Sequence, residues 1–326
     1  MTPALRTEGL TKDYPVGFWR KRSYRALDGL DLTVEPGEAF GLLGPNGAGK
    51  TTTLKLLLQL VFPTAGRAEV LGHPAGSVAV RRRLGYLPEN PYFYDHLTAE
   101  ELLGYFAGVF GLSGPARRRR VETLLDGVGI GAERRFPLRR FSKGMIQRVG
   151  LAQALINDPE LIFLDEPMSG LDPIGREQVR ELILRLRSEG RTVFFSSHIL
   201  ADAERLCSRV AILAQGRLVS TGRVGDAAVF EVRGWELIMA GVDSPSLEQL
   251  RGEHAVVRPI ADGRVAIELA LDSRPEQIVT RLVDRGAALV SLNPVRDTLE
   301  DYFLKEVARS STRDAASSGD SSRFRP

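Results

Sequence analysis

The chain is short of cysteine, of long apolar runs and of net charge. Cys207 is its single cysteine, so no disulfide can close within it and a reducing compartment is expected. No run approaches the roughly 18 apolar residues needed to span a bilayer. Leu102 to Leu112 comes nearest and is broken by Gly104, Gly108 and Gly111. The opening residues, Met1-Thr2-Pro3-Ala4-Leu5-Arg6, have no apolar core of the kind a secretion signal needs, so none is expected. Any membrane role should therefore run through a partner. With 44 Lys and Arg against 41 Asp and Glu the net charge is +3. That is too little to argue for nucleic acid, and no such partner is expected. What is present is ordinary for a globular protein: 43% hydrophobic and 26% charged residues, over 326 positions that allow one large domain or two smaller ones.

The most informative stretch is Gly44-Pro45-Asn46-Gly47-Ala48-Gly49-Lys50-Thr51, followed by Thr52. It fits the pattern G-x-x-x-x-G-K-[ST]. The apolar run Ala39 to Leu43 before it reads as a buried strand, and Thr52 to Leu58 after it as a helix, which is the context the pattern requires. Glycines let the backbone turn so that successive N–H groups point at one anion. The helix adds its positive N-terminal end. Lys50 should reach the β- and γ-phosphates of a nucleotide, and the Thr51 hydroxyl should bind Mg²⁺.

Around this stretch the pattern alternates. Residues 5–14 and 27–34 read as strands, joined by a loop carrying Phe18, Trp19, Arg20, Lys21 and Arg22, which reads as solvated. Pro63 to Gly66 reads as a turn, with short strands at Val70-Leu71 and Leu84 to Leu87. Helical periodicity covers 99–110, 115–128 and 142–156, within an insert from about 90 to 157; the run Arg117 to Arg120 reads as a solvated face. Strands return at 161–164, 192–195 and 209–214, with helices at 173–188 and 199–206 between them. Strands alternating with helices predict a mostly parallel sheet. Beyond Gly222 the order reads β-α-β-β-α-β, a split unit of ferredoxin-like type. Ser273-Arg274-Pro275-Glu276 fits a capping box opening its second helix. A last helix is expected at 296–308. The Ser-, Arg- and Asp-rich tail from Arg309 cannot bury much apolar surface and is expected to be disordered.

Two further clusters suggest phosphate chemistry. Leu161 to Leu164 ends in Asp165-Glu166 at the carboxyl end of a predicted strand, where open parallel sheets bind ligands. Asp165 suits Mg²⁺, and Glu166 can orient an attacking water or accept its proton. Phe141-Ser142-Lys143-Gly144-Met145 opens a helix with a hydroxyl, a small residue and free N–H groups, an arrangement that serves either as an ordinary cap or as an anion site.

Together these stretches resemble the ATPase subunit of ATP-binding cassette (ABC) transporters. Gly44 to Thr51 is similar to the family's Walker A, Leu161 to Asp165 to Walker B, and Glu166 to its catalytic glutamate. Phe141 to Met145 resembles the LSGGQ signature, Ser169 to Asp172 the D-loop, and His198 the switch histidine. Tyr14 resembles the aromatic that stacks on adenine. The resemblance covers residues 5 to about 225, with a weaker likeness of 226–308 to the C-terminal extensions of exporter ATPases. It implies an α/β P-loop NTPase fold over 1–225: a RecA-like, mostly parallel sheet, an antiparallel β subdomain and the helical subdomain at 90–157. A small α+β domain at 226–308 and the tail at 309–326 follow.

The resemblance also implies roles. ATP and Mg²⁺ would be the cofactors. Glu166 and His198 would be catalytic. Tyr14, Gly44 to Thr52, Ser142, Gly144 and Asp172 would bind nucleotide, and Thr51, Glu89 and Asp165 would hold the metal. Glu89 stands where the family has glutamine; a carboxylate keeps metal binding but cannot donate a hydrogen bond unless protonated. The signature reads FSKGM, keeping Ser142 and Gly144 and adding the charge of Lys143. With one Walker A and one signature per chain, two cassettes, as homodimer or heterodimer, would close over two ATP. A separately encoded membrane permease would carry the substrate outward, with this chain at the cytoplasmic face. The alternative is a soluble, non-transport ABC ATPase. In Asn90 to Asp95, Tyr92, Phe93 and Tyr94 cannot all face one core, so at least one should be exposed or line a cleft that receives the permease.

Overall fold

The computed structural model describes residues 2–16, 22–224, 232–253 and 255–296. Chain contacts divide the protein into Met1–Val224 and Gly225–Pro326. The predicted helix at 296–308, the tail from 309 and the loop residues Phe18 to Lys21 lie outside the described residues.

In chain order the first unit opens with β1 (Leu5–Val16), β2 (Arg22–Val34), β3 (Ala39–Leu43) and α1 (Lys50–Leu57). It continues through β4 (Ala65–Val70), β5 (His73–Pro74), the one-turn α2 (Val78–Arg81) and β6 (Leu84–Leu87). Three helices follow: α3 (Ala99–Val109), α4 (Gly114–Gly127) and α5 (Lys143–Ala154). Then come β7 (Leu161–Asp165), α6 (Pro173–Ser188), β8 (Thr192–Ser197), α7 (Leu200–Leu206), β9 (Arg209–Ala214) and β10 (Arg217–Arg223).

The central sheet has the order β10-β9-β3-β8-β7-β6. Every pairing in it is parallel except β10 with β9. Its middle strands are buried along their whole length, as continuous apolar runs covered on both faces must be. Phe194 is at the centre. Phe40 stacks on it at 5.7 Å between ring centroids, and Phe163 meets it edge-on at 5.7 Å. The carboxyl ends of β3, β7 and β8 therefore come together at one edge. Next to this core, on β3, Gly41 leaves room for the buried Cys207: a Cβ on Gly41 would sit 2.9 Å from the sulfur. Burial pushes the Cys207 thiol well above its usual range.

The second sheet, β2-β1-β4-β5, is antiparallel. The predicted turn at 63–66 is shorter than expected, because β4 already begins at Ala65. Gly66 crosses so close to β1 that a Cβ there would lie 2.2 Å from the Gly9 carbonyl oxygen. The glycine that suggested a turn thus serves a backbone approach. The strand expected at Val70-Leu71 stops at Val70, since Leu71 has φ 50.

In the helical insert α3 opens with a full capping box. Thr98 Oγ1 accepts from Glu101 N at 3.1 Å, and Thr98 N donates to Glu101 Oε2 at 2.9 Å. Arg117, Arg118 and Arg119 are exposed, as a solvated face would be. Arg120 differs from that expectation: it donates to Leu155 O and Ile156 O, and so ties α4 to the carboxyl end of α5.

The second unit runs β11 (Val232–Ala240), α8 (Ser244–Gly252), β12 (Val256–Pro259), β13 (Arg264–Ala270), α9 (Pro275–Val283) and β14 (Ala288–Arg296). Its antiparallel sheet has the order β12-β13-β11-β14, the strand order of the ferredoxin-like split unit. Leu237, Met239, Leu250, Ile267 and Leu282 form its own core. The capping box expected at Ser273 does not form. Arg274 occupies the cap position and makes no side-chain cap bond, so Glu276 falls one position short of the place where it could reach back.

Candidate functional site

The loop between β3 and α1 is held from both ends. Gly44 N donates to Ser197 O at 3.2 Å, at the end of β8. Gly49, with φ 105, begins α1 against the backbone of Ala26, whose carbonyl oxygen would lie 2.6 Å from any Cβ placed there. The first turn of α1 carries no acidic residue, so its positive end stays available to an anion. Pro45, Asn46, Gly47, Ala48, Gly49, Lys50, Thr51 and Thr52 all line one cleft of about 410 Å³. Gly44 does not line it; its carbonyl oxygen accepts from Lys50, which does.

Lys50 is 6% exposed. Its ammonium donates to Gly44 O at 2.6 Å and Pro45 O at 3.1 Å, and lies 3.1 Å from Glu166 Oε1. Thr51 Oγ1 donates to Asp165 Oδ1 at 3.2 Å, linking α1 to β7. Ser196, on β8, secures both acids. Its hydroxyl donates to Asp165 Oδ1 at 2.6 Å and accepts from Glu166 N at 3.0 Å. Burial raises the Asp165 carboxyl above the ordinary carboxylate range, against the opposing pull of the Ser196 and Thr51 hydrogen bonds and of Lys50.

Glu166 has φ 49, a left-handed conformation that costs a non-glycine residue about 1–3 kcal/mol. The turn throws its side chain into the cleft instead of along the strand. Oε2 lies 2.8 Å from His198 Nδ1. Oε1 is buried without a hydrogen-bond partner; Lys50 is near it as a charge but off the hydrogen-bonding direction. A buried, unsatisfied carboxylate oxygen facing a cleft is suited to take a proton from a bound water.

Glu89 reaches the cleft from beyond β6, and Tyr14 closes it from β1. Thr51 and Asp165 already share a hydrogen bond and Glu89 faces the same space, so these oxygens fit a hard cation held jointly with phosphates and waters. Among the described residues no three His, Cys, Asp or Glu side chains converge into an all-protein cage.

Ser142, Gly144 and Asp172 are not brought into this cleft. Ser142 is exposed and caps α5, accepting from Met145 N at 3.3 Å. Asp172 is exposed and caps α6, accepting from Gly175 N at 2.6 Å. Lys143 does not reach towards the cleft either: its side chain lies over Gly170, whose absent Cβ would be 2.9 Å from the Lys143 ammonium. Two residues that the sequence reading passed over, Ser196 and Tyr24, belong to the site, and so does Ser169, which it named only as the start of the D-loop. Ser196 joins the two acids, while Ser169 and Tyr24 line the cleft. Tyr24 carried a signal, since it stands opposite Tyr14 in the β1–β2 register. Ser196 carried none beyond its place at the end of a strand.

At the junction with the helical insert, Tyr92 is 93% exposed, Tyr94 is exposed and Phe93 is half-buried. Tyr92 and Phe93 line a second cleft of about 430 Å³ together with Leu58, Leu84 and Tyr86. Among the described residues no helix is long and apolar enough to cross a membrane.

The family profile described as ABC transporter matches residues 27–169. An uncharacterized ABC transporter ATP-binding protein of Synechocystis sp. is 44% identical over 305 residues, covering 93% of this chain and 84% of the relative. The Nod factor export ATP-binding protein I of Ralstonia nicotianae is 34% identical, covering 94% of this chain and 95% of the relative. A solved dimeric ATP-binding cassette in a post-hydrolysis state, bound to ADP and Pi, superposes with a TM-score of 0.62. It is 26% identical and matches 68% of this chain and 98% of that one.

Proposed function

Because the chain belongs to the family of ABC transporter ATP-binding proteins, and so binds and hydrolyses ATP, we propose that it drives export through a separate membrane subunit. Two cassettes close over two nucleotides. The observation that carries the catalytic part is the position of Glu166, turned out of β7 between Lys50 and His198.

In the proposed cycle Lys50 exchanges the Gly44 and Pro45 carbonyl oxygens for phosphate oxygens, and the free N–H groups of the loop and of the first turn of α1 hold the rest of the phosphate chain. Once Lys50 turns to the phosphates, Glu166 is released from its cationic neighbour and its unsatisfied Oε1 is available to a water in line with the terminal phosphate. His198 holds the other carboxylate oxygen and fixes its direction. Mg²⁺, held by Thr51, Asp165 and Glu89 with the phosphates, would neutralise charge on the terminal phosphate. Ser142, Gly144 and Asp172 do not line their own chain's cleft, which supports the reading that they complete the site of a second cassette. Binding that favours the closed pair and hydrolysis that removes the favoured ligand together make a two-state cycle.

Export follows the naming of the Ralstonia relative. The chain would then sit at the cytoplasmic face of the membrane, docked to its permease through the Tyr92 cleft. The test is purification of the native chain from its membrane, with ATP turnover assayed on the same material. A permease that co-purifies and stimulates turnover supports the reading. Turnover by a chain that carries no membrane protein with it would favour the soluble ABC ATPase.

A further inference from the structure

Tyr14 on β1 and Tyr24 on β2 are directly opposite in the register of the antiparallel pair, and both line the cleft. Directly opposed residues project to the same face of a sheet with Cβ atoms roughly 5 Å apart. The two side chains therefore leave the β1–β2 pair on one face, and both line the cleft that holds the 45–52 loop. They are not equivalent. Lys12 donates to Phe62 O at 2.6 Å and holds its ammonium 5.1 Å from the centroid of the Tyr14 ring. One face of Tyr14 is thereby engaged by a cation, and the residue is half-buried. Tyr24 is 52% exposed, and among the described residues its ring and hydroxyl have no partner. A nucleotide with its phosphates on the 44–52 loop carries its base towards these rings.

We propose that Tyr24 is a second base-contacting residue, supplying the exposed half of a two-ring platform on which the base of the nucleotide lies. This rests on the reading of the cleft as an ATP site. The contact is made by the ring. Because every base has a stacking face, it adds affinity without choosing between adenine and guanine.

The test is calorimetric titration of the full chain, as wild type, Tyr24→Ala and Tyr24→Phe, with a non-hydrolysable ATP analogue and, separately, with inorganic triphosphate. Tyr24→Ala should weaken the ATP analogue roughly tenfold and leave inorganic triphosphate unchanged, while Tyr24→Phe matches wild type for both. Unchanged analogue affinity in Tyr24→Ala overturns the proposal. So does an equal loss for both ligands, which would mean that the tyrosine only supports the hairpin. A Tyr24→Phe variant as weak as Tyr24→Ala overturns it as well, because the hydroxyl would then be the contact. If the wild-type chain binds inorganic triphosphate and no nucleotide more tightly, the ATP reading fails, and the proposal with it. Wild-type affinity for the analogue beside an unaffected Tyr24→Ala sinks the second ring alone.

Discussion

Glu166 Oε2 lies 2.8 Å from His198 Nδ1, and the other oxygen of the same carboxylate has no hydrogen-bond partner. One oxygen is fixed by the protein and the other is left to the cleft. Glu166→Gln keeps the shape and removes the base, since an amide takes up no proton near neutral pH. ATP binding should survive, turnover should fall by about 10²–10⁴-fold, and the variant should accumulate as a dimer with ATP and Mg²⁺. Turnover and size-exclusion with and without ATP measure both; wild-type hydrolysis would remove Glu166 from its role.

Lys50→Ala takes away the cation buried against the loop carbonyls of Gly44 and Pro45. Charge-assisted bonds to phosphate are among the stronger ones, and affinity for a non-hydrolysable ATP analogue should drop by about 10- to 100-fold. Titration calorimetry reads this directly, and unchanged affinity would mean the loop does not hold phosphate.

Asp165 gives a pH dependence with a definite sign. Its carboxyl is raised above the ordinary value by burial, so the folded chain holds that proton more tightly than the unfolded chain does. The resulting stability is fully present below the ordinary carboxylate pKa of about 4 and is lost as pH rises through the raised folded value. In nucleotide-free protein with a chelator, Asp165→Asn should therefore melt higher than wild type at neutral pH, and the difference should shrink on acidification. An asparagine variant that melts lower at neutral pH would contradict the burial argument.

Thr98→Ala removes the hydroxyl that accepts from Glu101 N and donates to Glu101 Oε2, and leaves the backbone half of the cap on α3, Thr98 N to Glu101 Oε2, in place. A lost cap costs about 1 kcal/mol. Urea unfolding should shift by that amount with its slope unchanged, and ATP affinity should stay the same; an unshifted midpoint would mean that the box adds nothing.

Tyr92→Ala strips an exposed ring from the second cleft. Loss of an aromatic anchor costs about 2 kcal/mol at an interface. Co-purification with the permease should weaken while ATP-dependent dimerisation is kept. A folded variant with full permease binding would exclude this ring as an anchor.

What the sequence revealed and what it hid divide along one physical line. The strand, loop and helix from Ala39 to Leu57 were legible because each depends on neighbours in the chain: an apolar run, glycines, then helix formers. The same holds for Pro173–Ser188, where the predicted and observed bounds agree. The contacts that hold the site together are of another kind. Ser196 meets Asp165 across 31 positions of sequence, and nothing local marks that serine. Gly66 resembled a turn residue because its reason, the Gly9 carbonyl pressing on it, lies on another strand. The misplaced cap at Ser273 failed by a single residue, which pattern alone could not exclude.

Cys207 carries a practical consequence. Packed against Gly41, it is held in the thiol form by burial, whereas thiol-directed reagents attack the thiolate. The folded chain should thus label little with maleimides and spin labels, which a thiol-labelling assay on wild type checks. A cysteine introduced at an exposed position with no role in either cleft, such as Arg118, becomes the reactive handle without removal of the native one. Opening and closing of two cassettes can then be followed by distance measurement between labels in an otherwise unaltered protein.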